Sequence, residues 1–91
     1  MRIRLLKDRY AIYNFEIVKL KEIDNDCHVI YGYLRDKAYK IAEHKDRKIA
    51  EIVFNNIITL KEGEIYTPFE NDEEYIESKK IKIIDRKSLE I

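Results

Sequence analysis

Over its first 34 residues the chain alternates apolar and polar positions in twos, the period of strands with one buried and one wet face. Arg2 to Lys7 sets Ile3 and Leu5 against Arg2 and Arg4, and Asp8-Arg9 then interrupts the pattern. Beyond that break Ala11, Tyr13, Phe15 and Ile17 share one face, with Ile12, Asn14 and Glu16 on the other. Near Ile17-Val18 the alternation slips, because Val18 and Leu20 continue the apolar series out of phase, which predicts a bulge or a bend. Asp24-Asn25-Asp26 is a turn signal, since Asn and Asp tolerate left-handed backbone and bond back to it. Cys27 to Leu34 follows as a strand, with Val29, Tyr31 and Tyr33 on one side and His28, Ile30, Gly32 and Leu34 on the other. Both sides carry apolar groups, so this strand is expected to be central and antiparallel to its predecessor.

Between Asp36 and Asn56 the period lengthens. At roughly 100° per residue Ala38, Ile41, Ala42, Ile49, Ile52 and Val53 fall on one stripe, opposite Lys40, Glu43, His44, Arg47 and Glu51. The spacing predicts an amphipathic helix with Asp36 as its N-cap and Asn55-Asn56 as its stop. The recurrence of Lys-Ile-Ala-Glu at Lys40 to Glu43 and Lys48 to Glu51 allows a second reading, two strands joined at His44-Lys45-Asp46-Arg47. That reading is weakened by the lack of Gly or Asn in the turn. After the helix, Ile57 to Leu60 and Glu64 to Thr67 flank Gly63 as a predicted hairpin. Glu70 to Glu77 reads as a solvated acidic loop, and Lys80 to Asp85 as a last strand before a fraying tail. The expected fold is α+β: a small antiparallel sheet of about five to six short strands packed on one central helix, in the order βββαβββ.

Composition narrows this picture. With 91 residues the chain is expected to form one domain, residues 1–91, able to bury a modest core without a metal or disulfide. Its single cysteine, Cys27, has no intramolecular partner, and no secretory pattern opens the chain, so a reducing, cytoplasmic setting is expected. Apolar runs such as Ile52 to Phe54 are far too short for a bilayer, and no membrane association is expected. Isoleucine, at 16 residues, is unusually frequent. Net charge is zero but unevenly spread: residues 1–49 carry 12 Lys and Arg against 8 Asp and Glu, and residues 50–91 carry 6 against 10. The two halves are thus +4 and −4, an asymmetry that steers charged partners or complements itself internally.

Candidate chemistry is sparse. Cys27 and His28 are adjacent on a strand and point to opposite faces, so they share neither a metal nor a nucleophile-base pair. Asp24-Asn25-Asp26 resembles the start of a calcium loop, but Val29 stands where the Gly turn belongs and Arg35 where the bidentate Glu belongs. Glu43 and Lys45 form no convincing catalytic set, and two glycines cannot make a phosphate loop. No cofactor, no metal and no enzymatic activity are expected.

Two binding roles remain. The first is a non-catalytic domain that binds another protein or a second copy of itself, through a sheet edge or the acidic residues Glu70, Asp72, Glu73, Glu74 and Glu77. The second is nucleic-acid binding by a basic, Tyr-rich sheet face: Arg2, Arg4, Arg9, Tyr10 and Tyr13, joined by Tyr31 and Tyr33. In the bland account those rings, Tyr13, Phe15 and the Tyr31 face above all, form the floor under the helix.

Overall fold

The computed structural model describes residues 1–5 and 11–79. The strands are β1 (Arg2–Leu5), β2 (Ala11–Asn14), β3 (Ile17–Asp24), β4 (Cys27–Leu34), β5 (Lys37–His44) and, after helix α1 (Arg47–Ile58), β6 (Ile65–Tyr66). Residues 72–79 are also helical and are called α2. The chain is α+β, with two sheets, β2-β1-β6 and β3-β4-β5, and with α1 packed across the second. β1 pairs antiparallel with β2 and parallel with β6. The sequence between β1 and β2, including Arg9 and Tyr10, and the expected strand Lys80 to Asp85 lie outside the described residues.

The alternation in the first third is realised much as the pattern predicts. Ile3 and Leu5 are buried while Arg2 is exposed, and Tyr13 stands opposite Ile3 on the same face. The expected slip falls at Phe15-Glu16 rather than at Ile17-Val18, because that is where the chain leaves one sheet and enters the other. The crossing is tied on both sides: Phe15 N–H donates to Met1 O at 2.9 Å and Glu16 N–H to Tyr33 O at 3.0 Å. β3 and β4 then form a hairpin whose turn is closed by Asp24 Oδ1, which accepts from Asp26 N–H at 2.8 Å.

The single helix predicted over Asp36 to Asn56 is replaced by a strand followed by a helix. Asp36 belongs to a tight turn beside Arg35, whose φ of 58° occupies the left-handed region normally left to Gly or Asn. Arg35 N–H donates to Glu16 Oε1 at 3.3 Å, which helps hold that backbone. β5 imitates a helix because it carries a bulge: the register shifts between Ile30 and Tyr31, leaving Ile41 as an extra residue. Ile41 and Ala42 are consequently both buried, and two adjacent apolar positions break the strand period. The true N-cap is Asp46, whose Oδ1 accepts from Lys48 N–H at 2.8 Å and Ile49 N–H at 3.4 Å. α1 buries Ile49, Ala50, Val53 and Ile57, so Ile52, predicted on the stripe, is 41% exposed.

Three later expectations are corrected as well. Asn55-Asn56 does not stop α1, which continues to Ile58 and is capped by Thr59, whose hydroxyl and N–H both donate to Asn55 O. Ile57 to Leu60 is therefore not a strand, and Ile57 is buried in the core from the last turn of the helix. Gly63 does adopt a positive φ, 89°, but the strand it introduces joins β1 rather than a hairpin partner. The acidic stretch is not a loop, because residues 72–79 are helical. Asn71 caps them through Oδ1, which accepts Glu74 N–H at 2.9 Å, and Phe69 meets Tyr75 edge-on with centroids 5.7 Å apart.

One core serves both sheets and α1. It joins Ile3 and Leu5 of β1 to Val18, Ile30, Ile41 and Ala42 of the second sheet and to Ile49, Val53 and Ile57 of the helix. Phe15 is at its centre, 1% exposed, with Tyr13 stacked beside it at 5.6 Å and Tyr39 at 5.8 Å. Its ring lies flat on Gly32: a Cβ placed there would be 2.6 Å from two Phe15 ring atoms and 2.8 Å from a third. We expect Gly32→Ala to cost about 1–3 kcal/mol by overpacking. A urea titration of the single variant and of Gly32→Ala with Phe15→Leu checks this. With Phe15→Leu alone measured beside them, the double variant should lose less than the sum of the two single losses, and strictly additive losses would show that the contact is not the cause.

Candidate nucleic-acid interface

Because successive strand residues point to opposite faces, burying one face of β3-β4-β5 under α1 turns the other away from the helix, where Tyr31 and Tyr33 are partly exposed and Val29 is buried. The inner face is read from the register: Val18 opposite Gly32 opposite Tyr39, Leu20 opposite Ile30 opposite Ala42, Glu22 opposite His28 opposite His44. The outer face has three rows. Ile17, Tyr33 and Ala38 form the first, Lys19, Tyr31 and Lys40 the second, and Lys21, Val29 and Glu43 the third. Two tyrosines thus stand two residues apart on the central strand, about 6.7 Å along it. Lysines flank Tyr31 from both neighbouring strands.

The phase of this face depends on a second bulge. The β3–β4 turn pairs Asp24 with Cys27, and an uninterrupted ladder from there would set Lys19 against Gly32 and aim it at the core. Ile23 drops out of the ladder between Glu22 and Asp24, and Lys19 lands opposite Tyr31 instead. The polar positions of β3 are thereby returned to solvent.

The lysines are all engaged with the face they occupy. Lys19 Nζ lies 5.4 Å from the centroid of the Tyr33 ring and Lys21 Nζ 5.6 Å from that of Tyr31. These are cation–π contacts, and the aliphatic stems lie along the sheet, so both rings are only partly exposed. Lys40 Nζ donates to Glu43 Oε1 at 2.6 Å, and that hydrogen bond holds the ammonium above the ordinary lysine range. Lys40 therefore keeps its charge across the neutral range. At the end of the face, desolvation followed by the Glu43 and Asp24 carboxylates raises the Cys27 thiol above its usual value, against a smaller opposing effect of Lys40. Cys27 is thus protonated at neutral pH and a poor nucleophile. Three lysines against Glu43 make the three rows net positive.

The residues selected from sequence are distributed differently. Arg2 stands opposite Asn14 and Arg4 opposite Ile12, on the face of β1 away from Ile3, whereas Tyr13 shares the Ile3 face and packs against Phe15 and Tyr39. Arg2 and Arg4 therefore do not share a surface with Tyr13, and Arg9 and Tyr10 lie outside the described residues. Tyr31 and Tyr33 are not under the helix either. The floor there is Val18, His28, Ile30, Ala42 and His44, while Tyr13 and Phe15 do join the core. Lys19, Lys21 and Lys40 escaped the sequence reading. For Lys19 and Lys21 the signal was the out-of-phase run Val18 and Leu20, which left the odd-numbered lysines of β3 facing outward.

The acidic residues are mostly committed to the fold. Asp72 Oδ1 accepts the Nδ1–H of His44 at 2.9 Å, and its Oδ2 accepts the N–H groups of Lys45 at 3.1 Å and Asp46 at 3.0 Å. His44 is wholly buried, and this triple contact fastens the start of α2 to the junction of β5 and α1. Glu70 O accepts Glu43 N–H at 2.9 Å along the β5 edge, and Glu74 Oε2 accepts Glu70 N–H at 3.4 Å. Of the five predicted acidic contacts, Glu73 and Glu77 are exposed while Glu70, Asp72 and Glu74 are half-buried. Lys45 is likewise an exposed side chain whose backbone serves the clip.

No family model, no curated protein and no solved structure matches this chain. Its function is therefore read from its own surfaces. Among the described residues no group of three or more His, Cys, Asp or Glu is placed to hold a metal ion, and no helix is long and apolar enough to cross a membrane.

The Asp72 clip generates a stability expectation. Asp72→Ala strands the buried His44 Nδ1–H without its acceptor, which costs about 1–3 kcal/mol. Chemical denaturation should show that loss, and amide hydrogen exchange should quicken at Lys45 and Asp46. Unchanged exchange at both amides would mean that the clip does not hold the junction.

Proposed function

We propose that the protein is a non-catalytic binding domain for single-stranded nucleic acid, and that the outer face of β3-β4-β5 is the binding surface. The observation that carries this reading is the pair Tyr31 and Tyr33 on the central strand, facing away from α1 and bordered by Lys19, Lys21 and Lys40. Bases offer π faces regardless of sequence, and stacking on an aromatic side chain contributes about 1–3 kcal/mol per base. Lysines beside the rings neutralise the phosphates that accompany those bases. A three-stranded sheet is broader than the two-stranded ribbon that a major groove admits, whereas unpaired bases can lie on its face. The Cys27 thiol, raised above its usual value, is a poor nucleophile, and His28 points to the opposite face and gives it no base.

Protein binding is the second reading, and one feature favours it. β3 is an edge strand of eight residues, with Ile17 and Ile23 52% and 57% exposed. Two features weigh against that edge joining a second copy. Symmetric pairing keeps the outer faces continuous and sets the lysines of one copy against those of the other, which is repulsive. The bulge at Ile23 also interrupts the edge, and lysines and bulges are the usual guards against edge pairing. An anionic strand lying on the face meets neither obstacle.

Fluorescence anisotropy with a labelled mixed-sequence single-stranded oligonucleotide tests the proposal. Binding is expected to weaken as salt rises and to fall about 5- to 150-fold for Tyr31→Ala, with a similar loss for Tyr33→Ala. Equal affinity for a duplex of the same length, or indifference to both substitutions, overturns the proposal. Light scattering in parallel addresses the second reading, for which a salt-insensitive oligomer that ignores the oligonucleotide is the expected result.

A further inference from the structure

We infer that Lys19 and Lys21 are masks as well as phosphate contacts: each ammonium occupies a tyrosine face that a base takes over, so each nucleotide bound exchanges one cation for one base. This rests on the reading of the outer face as a single-strand site. The observation behind it is the diagonal placement of Lys19 over Tyr33 and of Lys21 over Tyr31, at 5.4 and 5.6 Å. Nothing in the β3–β4 ladder requires those contacts, since the residues directly opposite are Lys19 with Tyr31 and Lys21 with Val29. A diagonal neighbour is within reach of a long side chain, and the ring quadrupole attracts the ammonium.

An exposed cation–π contact is weaker than a base–aromatic stack, so the exchange runs forward when a base arrives. The displaced ammonium is then beside the phosphate of the same nucleotide, where its charge is better matched. Two rings and two masking lysines define a footprint of two adjacent unpaired nucleotides. Tyr33, between Ile17 and Ala38, offers an apolar seat, and Tyr31, between Lys19 and Lys40, a cationic one. Lys40, on the other side of Tyr31, donates to Glu43.

The exchange predicts opposite effects of one double variant on two ligands. Lys19→Thr with Lys21→Thr keeps good strand formers in β3, removes both cations and uncovers both rings. The affinity for hexathymidylate should fall, and the slope of log affinity against log salt should become shallower by about 1.4. The affinity for free thymidine, which carries no phosphate, should rise by about two- to fivefold per uncovered ring. In the wild-type protein the ε-methylene proton signals of Lys19 and Lys21 should be displaced upfield by the ring currents and return toward ordinary lysine values as hexathymidylate is added. Circular dichroism of the variant confirms that it is folded. Weakened or unchanged thymidine binding, or lysine signals that stay upfield at saturation with hexathymidylate, overturns the exchange while leaving the binding site standing. Absence of hexathymidylate binding by the wild-type protein overturns both.

Discussion

The contact on which the rest depends is the Phe15 ring lying on the bare backbone of Gly32. Phe15 belongs to the short crossing between the two sheets, so the contact holds those sheets to a common core. It also fixes the central strand from below at the residue between Tyr31 and Tyr33. Any side chain at position 32 would lift β4 off the ring, and with it the two tyrosines on the far side. The same glycine thus joins core packing to surface chemistry: its inner side is filled by Phe15, and its neighbours carry the outer face.

The two halves of the chain solve the problem of charge differently. In the first half, lysines on the open sheet lie over aromatic rings or against Glu43, so the charge is kept at the surface and available. In the second half, the acidic residues near α2 are drawn inward. Asp72 accepts from Nδ1 of a buried imidazole and from two backbone amides at once, and three accepted hydrogen bonds at one carboxylate make it a joint rather than a docking contact. The charge asymmetry visible in composition is therefore partly an attachment between elements, while Glu73 and Glu77 stay exposed.

Much of the fold was legible where one rule governed. The strands around Ile3, the turn at Asp24 to Asp26, the central position of Cys27 to Leu34 and the common face of Tyr31 and Tyr33 follow from period-two alternation and turn chemistry, whereas the turning of that face away from the helix does not. Legibility failed where two rules overlapped. Ile41 and Ala42 gave β5 a helical spacing because a bulge puts both inside, and Arg35 closed a hairpin without the Gly or Asn that marks one. The two tyrosines of the candidate surface were among those noticed in the sequence, but their neighbours were not. Pairing across β3 and β4 depends on which residue leaves the ladder, and nothing in the local sequence distinguishes Ile23 in that role.

The two bulges also set where the length of these strands can change. Ile23 and Ile41 are the residues that the ladders skip. Removing either one straightens its strand and leaves every other side chain on its present face, whereas removing a laddered neighbour exchanges inside for outside along the remainder of the strand. The loss differs in kind, since Ile41 is wholly buried and Ile23 is 57% exposed. In a lineage that gains and loses single codons, position 23 is thus the place in the sheet where a deletion is nearly silent. The three rows of the outer face would pass through such an event unaltered.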